Sequence, residues 1–566
     1  MRRDCPVAFF ILLVLVAGLL WGCAPPPPTP GGPQTGNRPV KNLIVLIADG
    51  CAAEQYTLAR WFKGAPLALD QICVGAVKTH IADSVVADSA PASTAFATGC
   101  RTSDKFIGVG PKNPTLTGTP APDPNLSYKP VATVLEGARL MGKATGIVVT
   151  CRVTHATPAA YYAHVPSRTL DNDIMEQGVY QNLDVVLGGG KRHLLPPEKG
   201  GKRTDGENLM DVIQERGYAF AANAPQLDQV KAGKVYGIFA YNHPEPEIDR
   251  PEYAPEQPTL EQMTRKALEL LSQDPDGFFL VVEGSQVDWA CHANDPAHML
   301  SDLLMFDRAV QAAVDFAQKD GNTLVLAFSD HNCGGMSIGN MGTSGTYSQL
   351  SLETLLDPLK KMKLSVRGLC REMGSEQTPA KVQEVVKNFW GLEITDEEAK
   401  QILVLAQKYG DNPQDAFGEV LCPKYTAIGW TTHGHCGGDV PLFAFGPRRP
   451  IGLLDGPDIG QTCAQALGLN LERLNARLFQ EAAPALAGGQ VDIDKSDPEN
   501  PVVKIAFQGK QAELPVNKNL LKLDGKTVNL EGVVVYAPDT GKAYIPQEAV
   551  NLIKGSASAL PAVTGD

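Results

Sequence analysis

Glu283, Asp288 and His292 fall within ten residues of one another, directly after the apolar run Phe278 to Val282. An unbroken apolar run of that length reads as a strand buried on both faces. Glu283 then emerges at the strand's carboxyl end, where open α/β sheets place their ligand sites. If a helix starts next, the four-residue spacing puts Asp288 and His292 one turn apart on one face, able to hold a single metal ion. An exposed Asp and His at that spacing more often form only a solvated pair, so a metal site requires further ligands elsewhere.

The chain offers them at the ends of two similar runs. Asn42 to Ala48 leads into Asp49-Gly50, and Thr323 to Phe328 leads into Ser329-Asp330-His331. Aspartate at a strand end is often a turn former. Two ligand-type residues side by side after a buried strand are harder to explain structurally. Near the other end, Trp430 to Pro441 contains His433 and His435. Cys51, Cys291, Cys333 and Cys436 each lie close to one of these positions, which makes thiolate ligation a rival to carboxylate and imidazole ligation.

Ser89 is a candidate nucleophile. It precedes a run of small helix-compatible residues, with Pro91 near the start and Gly99 at the end, and so belongs at a helix amino terminus. A serine there ordinarily does no more than cap the helix. The same position aims backbone N–H groups and the positive end of the helix dipole at an anion, which favours phosphate and a serine alkoxide. An alkoxide at neutral pH needs a metal beside it.

The elements that must position these residues alternate. Further strands are expected at 146–150 and 183–187, and helices at 131–141, 260–272 and 302–319. That alternation predicts an α/β fold, a mostly parallel central sheet covered by helices on both faces, with polar residues gathered along one rim. Residues 336–420 read as a helical insertion. Thr378-Pro379 opens one helix that Gly391 closes, and Thr395-Asp396-Glu397-Glu398 is a capping box opening the next, through Lys408. Such an insertion either restricts access to the site or decorates the surface. Beyond 486 the pattern changes to short strands and a turn at Asp524-Gly525, a β-rich carboxyl-terminal module.

The 566 residues carry a formal net charge of −13, which argues against a nucleic-acid-binding surface. At the amino end, Arg2 and Arg3 precede the apolar run Ala8 to Trp21 and then Gly22-Cys23. Residues 1–22 resemble a lipoprotein signal peptide, with Cys23 as the lipid-bearing residue. Trp21 is bulky for that motif and leaves open an ordinary cleaved signal or an uncleaved anchor. Residues 23–40 are a Pro-rich tether. The expected location is therefore the cell envelope, exported and held to the membrane through a lipid. Of the 12 cysteines, none shows a CxxC spacing, and their pairing is not readable from sequence.

Taken in order, Ala48-Asp49-Gly50, Asp88-Ser89-Ala90, His155 to Ala160, Ser167-Arg168, Glu283 to His292, Asp330-His331 and Gly434-His435 resemble the alkaline phosphatase family. The resemblance covers about residues 41–335 and 421–470, within a catalytic domain drawn at 41–335 and 421–485. It implies two zinc ions and one magnesium ion per subunit. Asp288, His292 and His435 would hold the first zinc, and Asp49, Asp330 and His331 the second. Asp49, Thr157 and Glu283 would hold magnesium. It further implies hydrolysis of phosphate monoesters through a phosphoserine on Ser89, with Arg168 gripping two phosphoryl oxygens, and by analogy a homodimer.

His155 and Trp289 stand where the family's best-known bacterial form carries aspartate and lysine, a combination found in another bacterial branch. The family pattern favours His435 over His433 as the ligand and leaves His433 a neighbouring donor. The remaining histidines, His80, His164, His193, His243 and His298, are expected in packing or surface roles. A sulfatase of the same superfamily would require an arginine after Ser89 that Ala92 and Ser93 do not supply. A phosphodiesterase or nucleotide pyrophosphatase relative, or a non-catalytic phosphate-binding lipoprotein, remains as an alternative.

Overall fold

The computed structural model describes residues 38–566 apart from 113, 114, 557 and 566. The expected signal peptide, Cys23 and all but residues 38–40 of the expected tether lie outside the described residues.

Ten strands form the central sheet: β1 (Asn42–Ala48), β2 (Cys73–Lys78), β3 (Ala144–Arg152), β4 (Val185–Gly189), β5 (Ala219–Ala221), β6 (Val235–Ile238), β7 (Phe278–Gly284), β8 (Thr323–Phe328), β9 (Val440–Phe445) and β10 (Gly452–Asp455). Their spatial order is β10-β2-β9-β8-β1-β7-β3-β4-β6-β5. Every pairing is parallel except those of β9, which runs antiparallel to both β8 and β2. All seven residues of β1 are buried, and they alternate between two cores. Ile44, Leu46 and Ala48 join one, Leu43, Val45 and Ile47 the other. Burial on both faces is why the central strands read as continuous apolar runs.

The expected mostly parallel sheet flanked by helices is what forms, and helix starts differ from expectation only where local chemistry moves them. The helix expected from residue 302 begins six residues earlier, as Pro296–Asp320. Asp295 caps it by accepting from the N–H groups of Ala297 and His298, and Pro296 occupies the first turn. The helix expected at 131–141 shortens to Val134–Leu140 because Thr133 and Glu136 close a capping box there. Between residues 352 and 425 lie five helices, including Pro379–Trp390, capped by Thr378 and ended by Gly391, and Asp396–Tyr409, opened by the Thr395 box. Leu355, Val385, Trp390, Ile402 and Phe417 from these helices share one core with Ile44 and Leu46 of β1.

The carboxyl-terminal region holds a separate five-stranded antiparallel sheet, β11 (Gln490–Asp494) to β15 (Lys526–Asn529) in sequential order, with its own core around Val503, Ile505, Leu514 and Leu521. The Asp524-Gly525 turn joins its last two strands. The strand expected at 532–537 pairs only over Val535–Ala537. No helix among the described residues is long and apolar enough to cross a membrane.

Candidate metal centre and nucleophile

The register of four neighbouring strands, β8-β1-β7-β3, brings the candidate residues to one edge. Ile47 of β1 stands opposite Phe328 of β8 and Glu283 of β7, and Glu283 in turn stands opposite Val149 of β3. Asp49, Asp330-His331 and Glu283 therefore leave the sheet side by side, although Asp49 stands far upstream of the other two in sequence.

Asp49, Asp330 and His331 are buried and form one cluster, with donor atoms within 4.8 Å of one another. His331 Nε2 lies 3.5 Å from Asp49, 3.4 Å from Asp330 and 3.1 Å from Ser89 Oγ. Neither carboxylate oxygen of Asp49 has a hydrogen-bond partner, nor does Oδ2 of Asp330. Burial, followed by repulsion from Asp330, Asp288 and Glu283, pushes Asp49 well above the usual carboxylate range. Buried carboxylates are ordinarily paired or hydrogen-bonded. An orphaned set of this kind fits a divalent cation.

Asp288, His292 and His435 form the second cluster. Helix α1 (Gln286–His292) follows β7 directly, so the one-turn spacing operates and His292 Nε2 sits 3.2 Å from Asp288. His292 Nδ1 faces the backbone carbonyl of His433, and His435 Nδ1 faces that of Ala87 at 2.8 Å. Each Nδ1 must donate to its carbonyl, which turns the lone pair of each Nε2 inward. The two Nε2 atoms lie 3.1 Å apart, with Asp288 Oδ1 3.6 Å from His435 Nε2 and otherwise unpartnered. A proton on His292 Nε2, or a metal ion in its place, satisfies both rings and Asp288. Outer hydrogen bonds that fix imidazole tautomers in this way are usual around metal ligands. Burial opposes the charge on His292, but Asp288 overcomes it and raises His292 to about 9.

His433 turns away from this cluster. Its Nδ1 is 2.7 Å from the carbonyl of His292 and its Nε2 3.2 Å from Glu419. His435 is thus the histidine brought inward, and His433 braces His292. Cys333 Sγ joins the Asp288 cluster, but burial and then Asp288 push its thiol well up, and the sulfur approaches Gly434 O at 3.7 Å. Gly50 is fixed here on two counts. Its φ is +69°, and a Cβ would lie 2.6 Å from Asp288 Oδ1.

Glu283 gathers a third cluster with Cys151 and His155. Burial pushes Glu283 up to about 7, with Asp330 adding its repulsion. Glu283 Oε1 and the nearby buried hydroxyl of Thr157 have no partners, while Cys151 Sγ is 3.4 Å from Glu283 Oε2. Oxygen donors from a carboxylate and a hydroxyl suit a hard cation that keeps several waters. His155 caps the one-turn helix Ala156–Ala159 and meets Trp289 edge-on, ring centroids 5.4 Å apart.

Ser89 is 1% exposed and opens helix α2 (Ser89–Thr98) as its first residue, so the cap is Asp88, one position earlier than a capping serine would be. Asp88 leaves the helix uncapped by its side chain. Its Oδ1 instead accepts from Arg168 Nη1 at 2.5 Å, and Arg168 Nη2 lies 3.1 Å from His155 Nε2. Burial resists the charge on Asp88, but Arg168 holds it below the usual range. The guanidinium is thereby fixed near the nucleophile while the N–H groups of Ser89 and Ala90 stay open to an anion, Pro91 having none.

Sequence reasoning did not find Cys151, Asp88 or Glu419. Cys151 was detectable in principle, because it sits at the carboxyl end of β3, two residues past the partner of Glu283. His243 is placed against Trp289, with centroids 4.4 Å apart, and His164 is buried 3.1 Å from Glu136.

Three cation-shaped clusters, a buried serine at a helix start and a fixed arginine on the edge of a parallel sheet describe a metal-dependent hydrolase. The sequence profile of the alkaline phosphatase family matches residues 40–469. Alkaline phosphatase 3 of Bacillus subtilis is 34% identical over 458 residues, covering 78% of this chain and 92% of the relative. The repressible alkaline phosphatase of Saccharomyces cerevisiae is 30% identical, covering 78% and 84%. Among solved structures, Thermus thermophilus alkaline phosphatase aligns with a TM-score of 0.68 at 27% identity, covering 79% of this chain and 96% of that one. A variant of TAB5 alkaline phosphatase with Mg bound in its M3 site aligns at 0.53 and 26% identity, covering 76% and 99%. The chain belongs to the alkaline phosphatase family.

Proposed function

We propose that this chain hydrolyses phosphate monoesters to an alcohol and inorganic phosphate through a phosphoserine on Ser89. The observation that carries the reading is the convergence on one serine. Ser89 Oγ lies 3.1 Å from His331 Nε2, and the adjacent Asp88 holds Arg168 at 2.5 Å.

Asp288, His292 and His435 would bind one zinc ion, and Asp49, Asp330 and His331 a second. Thr157, Glu283 and Asp49 would bind magnesium, which suits the oxygen-only donors. When bound, these ions supply Lewis acidity toward the attacking and leaving oxygens and neutralise the orphaned carboxylates. Ser89 Oγ attacks phosphorus in line, its burial having removed competing solvent, and the P–O bond to the alcohol breaks. Water then cleaves the Ser89 ester from the opposite side and releases phosphate. Arg168 grips two non-bridging oxygens with the fork that a guanidinium offers and an ammonium lacks. His155 acts at one remove. Its Nε2 faces Arg168 and therefore accepts, so its Nδ1 carries the proton and, being without a partner, is the atom that would engage the magnesium site through water. We further propose export to the cell envelope with a lipid on Cys23, assembly as a homodimer, and a division into the catalytic domain, the 336–420 insertion and the 486–566 module.

Acid quenching in labelled inorganic phosphate should leave label on the Ser89 peptide of the wild type and none on Ser89→Ala. That substitution should also lower turnover by at least about 10³-fold. Normal monoester hydrolysis by Ser89→Ala would end the assignment. Arg168→Ala should cost monoester kcat/KM about 10² to 10³-fold and diester kcat/KM far less. Equal losses would favour the phosphodiesterase alternative.

A further inference from the structure

Beside the metal centre lies a cavity of about 500 Å³ walled by Trp289 and His292 on the catalytic side and by Arg367, Asn412 and Asp415 from the helical region. It opens onto His292, of the cluster proposed above for the first zinc ion, and so lies where the portion of an ester beyond the phosphoryl group has room to extend. Trp289 gives that space an apolar wall, with His243 packed edge-on behind it.

Its charge is set by few groups. Burial lowers His243 to about 2 and His298 to about 3, so both are neutral. Asp415 lines the same cavity on the side of His433 and His292, and burial raises its carboxyl to about 6 against their attraction. Arg367 is the cation left over, attracted without a hydrogen bond by buried Asp249, whose oxygens already accept from Ser365. Among the described residues it makes no ion pair or hydrogen bond. Its backbone is nonetheless held firmly at the start of helix α3 (Val366–Met373). The preceding Ser365 donates its N–H and hydroxyl to buried Asp249, and Val366 N–H donates to buried Asp295 at 2.7 Å. A rigidly based, unpaired guanidinium facing a leaving-group cavity is suited to an anion.

We propose that this cavity receives the alcohol portion of the substrate and that Arg367 selects alcohols bearing a second anionic group, a phosphate or a carboxylate. The proposal rests on the monoesterase reading. Propyl phosphate, carboxypropyl phosphate and propanediol bisphosphate would be compared on the metal-loaded wild type and on Arg367→Gln and Arg367→Lys. The wild type should prefer both anionic esters. Arg367→Gln should lose about 10- to 100-fold in kcat/KM on them, the worth of a charge-assisted contact, and stay within about twofold on propyl phosphate. Arg367→Lys should recover part of the loss. A loss confined to the bisphosphate assigns the site to phosphate, and a loss on both assigns it to anions generally. Equal activity on all three esters in the wild type, or an equal fall on all three in Arg367→Gln, overturns the proposal. If no ester is hydrolysed, the monoesterase reading fails by itself. The selectivity is then read from Trp289 fluorescence, identified by its loss in Trp289→Phe. Carboxypropyl phosphate must bind tighter than propyl phosphate, and Arg367→Gln must erase the difference.

Discussion

Two groups of three acidic or imidazole side chains look alike by proximity and differ in what surrounds them. Asp49, Asp330 and His331 meet at the sheet edge, and Glu176, Asp205 and Glu207 meet on the flank of the fold, each set with donor atoms within 4.8 Å. On the flank the chain supplies its own counter-charges. Lys518 lies 3.2 Å from Glu176 and 3.0 Å from Glu207, Arg203 pairs with Asp205, and Tyr180 donates to Glu207 at 2.7 Å. At the edge it supplies none, and both oxygens of Asp49 stand alone. Crowding of acids does not mark a cation site; crowding without internal compensation does.

Removing metal is the strongest way to break this contrast. A chelator should abolish phosphatase activity and lower the unfolding free energy by up to about 4 kcal/mol per ion if the ions are present at about 1,000 times their Kd. Zinc plus magnesium should restore both. If the chelated protein keeps its stability, the edge carboxylates are compensated in some other way. Next in size, Lys518→Met should destabilise the chain by about 3–5 kcal/mol, because it leaves buried Glu176 unpaired. Denaturant unfolding should show the same loss with and without metal, and a loss that is smaller with metal than after chelation would place a cation on the flank as well. The smallest effect reverses sign. Asp49→Asn should raise the stability of the metal-free chain by about 1–3 kcal/mol by relieving repulsion, and should cut stabilisation by added zinc to what the Asp288 site alone provides. A destabilised metal-free variant would mean that Asp49 is already satisfied.

The edge was legible in sequence for a physical reason. Strands β1, β7 and β8 are buried on both faces, so each reads as an apolar run, and its first charged residue marks the carboxyl end. The Asp288 and His292 spacing follows from helix geometry alone. Contacts made across the fold were not legible. Asp88 meets Arg168 from 80 positions away, and nothing local says that Asp88 will turn from its helix to do so. The family pattern favoured His435 over His433, but the physical reason for its inward turn, Ala87 O receiving Nδ1, lies across the fold. The antiparallel sense of β9 was equally hidden, since strand direction leaves no periodicity. Lys518 lies on the chain far from the acids it neutralises, in a segment that reads only as a turn between short strands.

The helices above the cavity share a hydrophobic interior with β1, through Leu355, Val385, Trp390 and Phe417. They therefore behave as part of the vessel wall and not as a hinged door. Swinging them aside would expose the sheet's own core, an excursion that belongs with global unfolding. Amide hydrogens of these helices should exchange as slowly as those of the central strands. Turnover then has no opening step to wait for, and an ester too wide for the aperture is refused at every concentration.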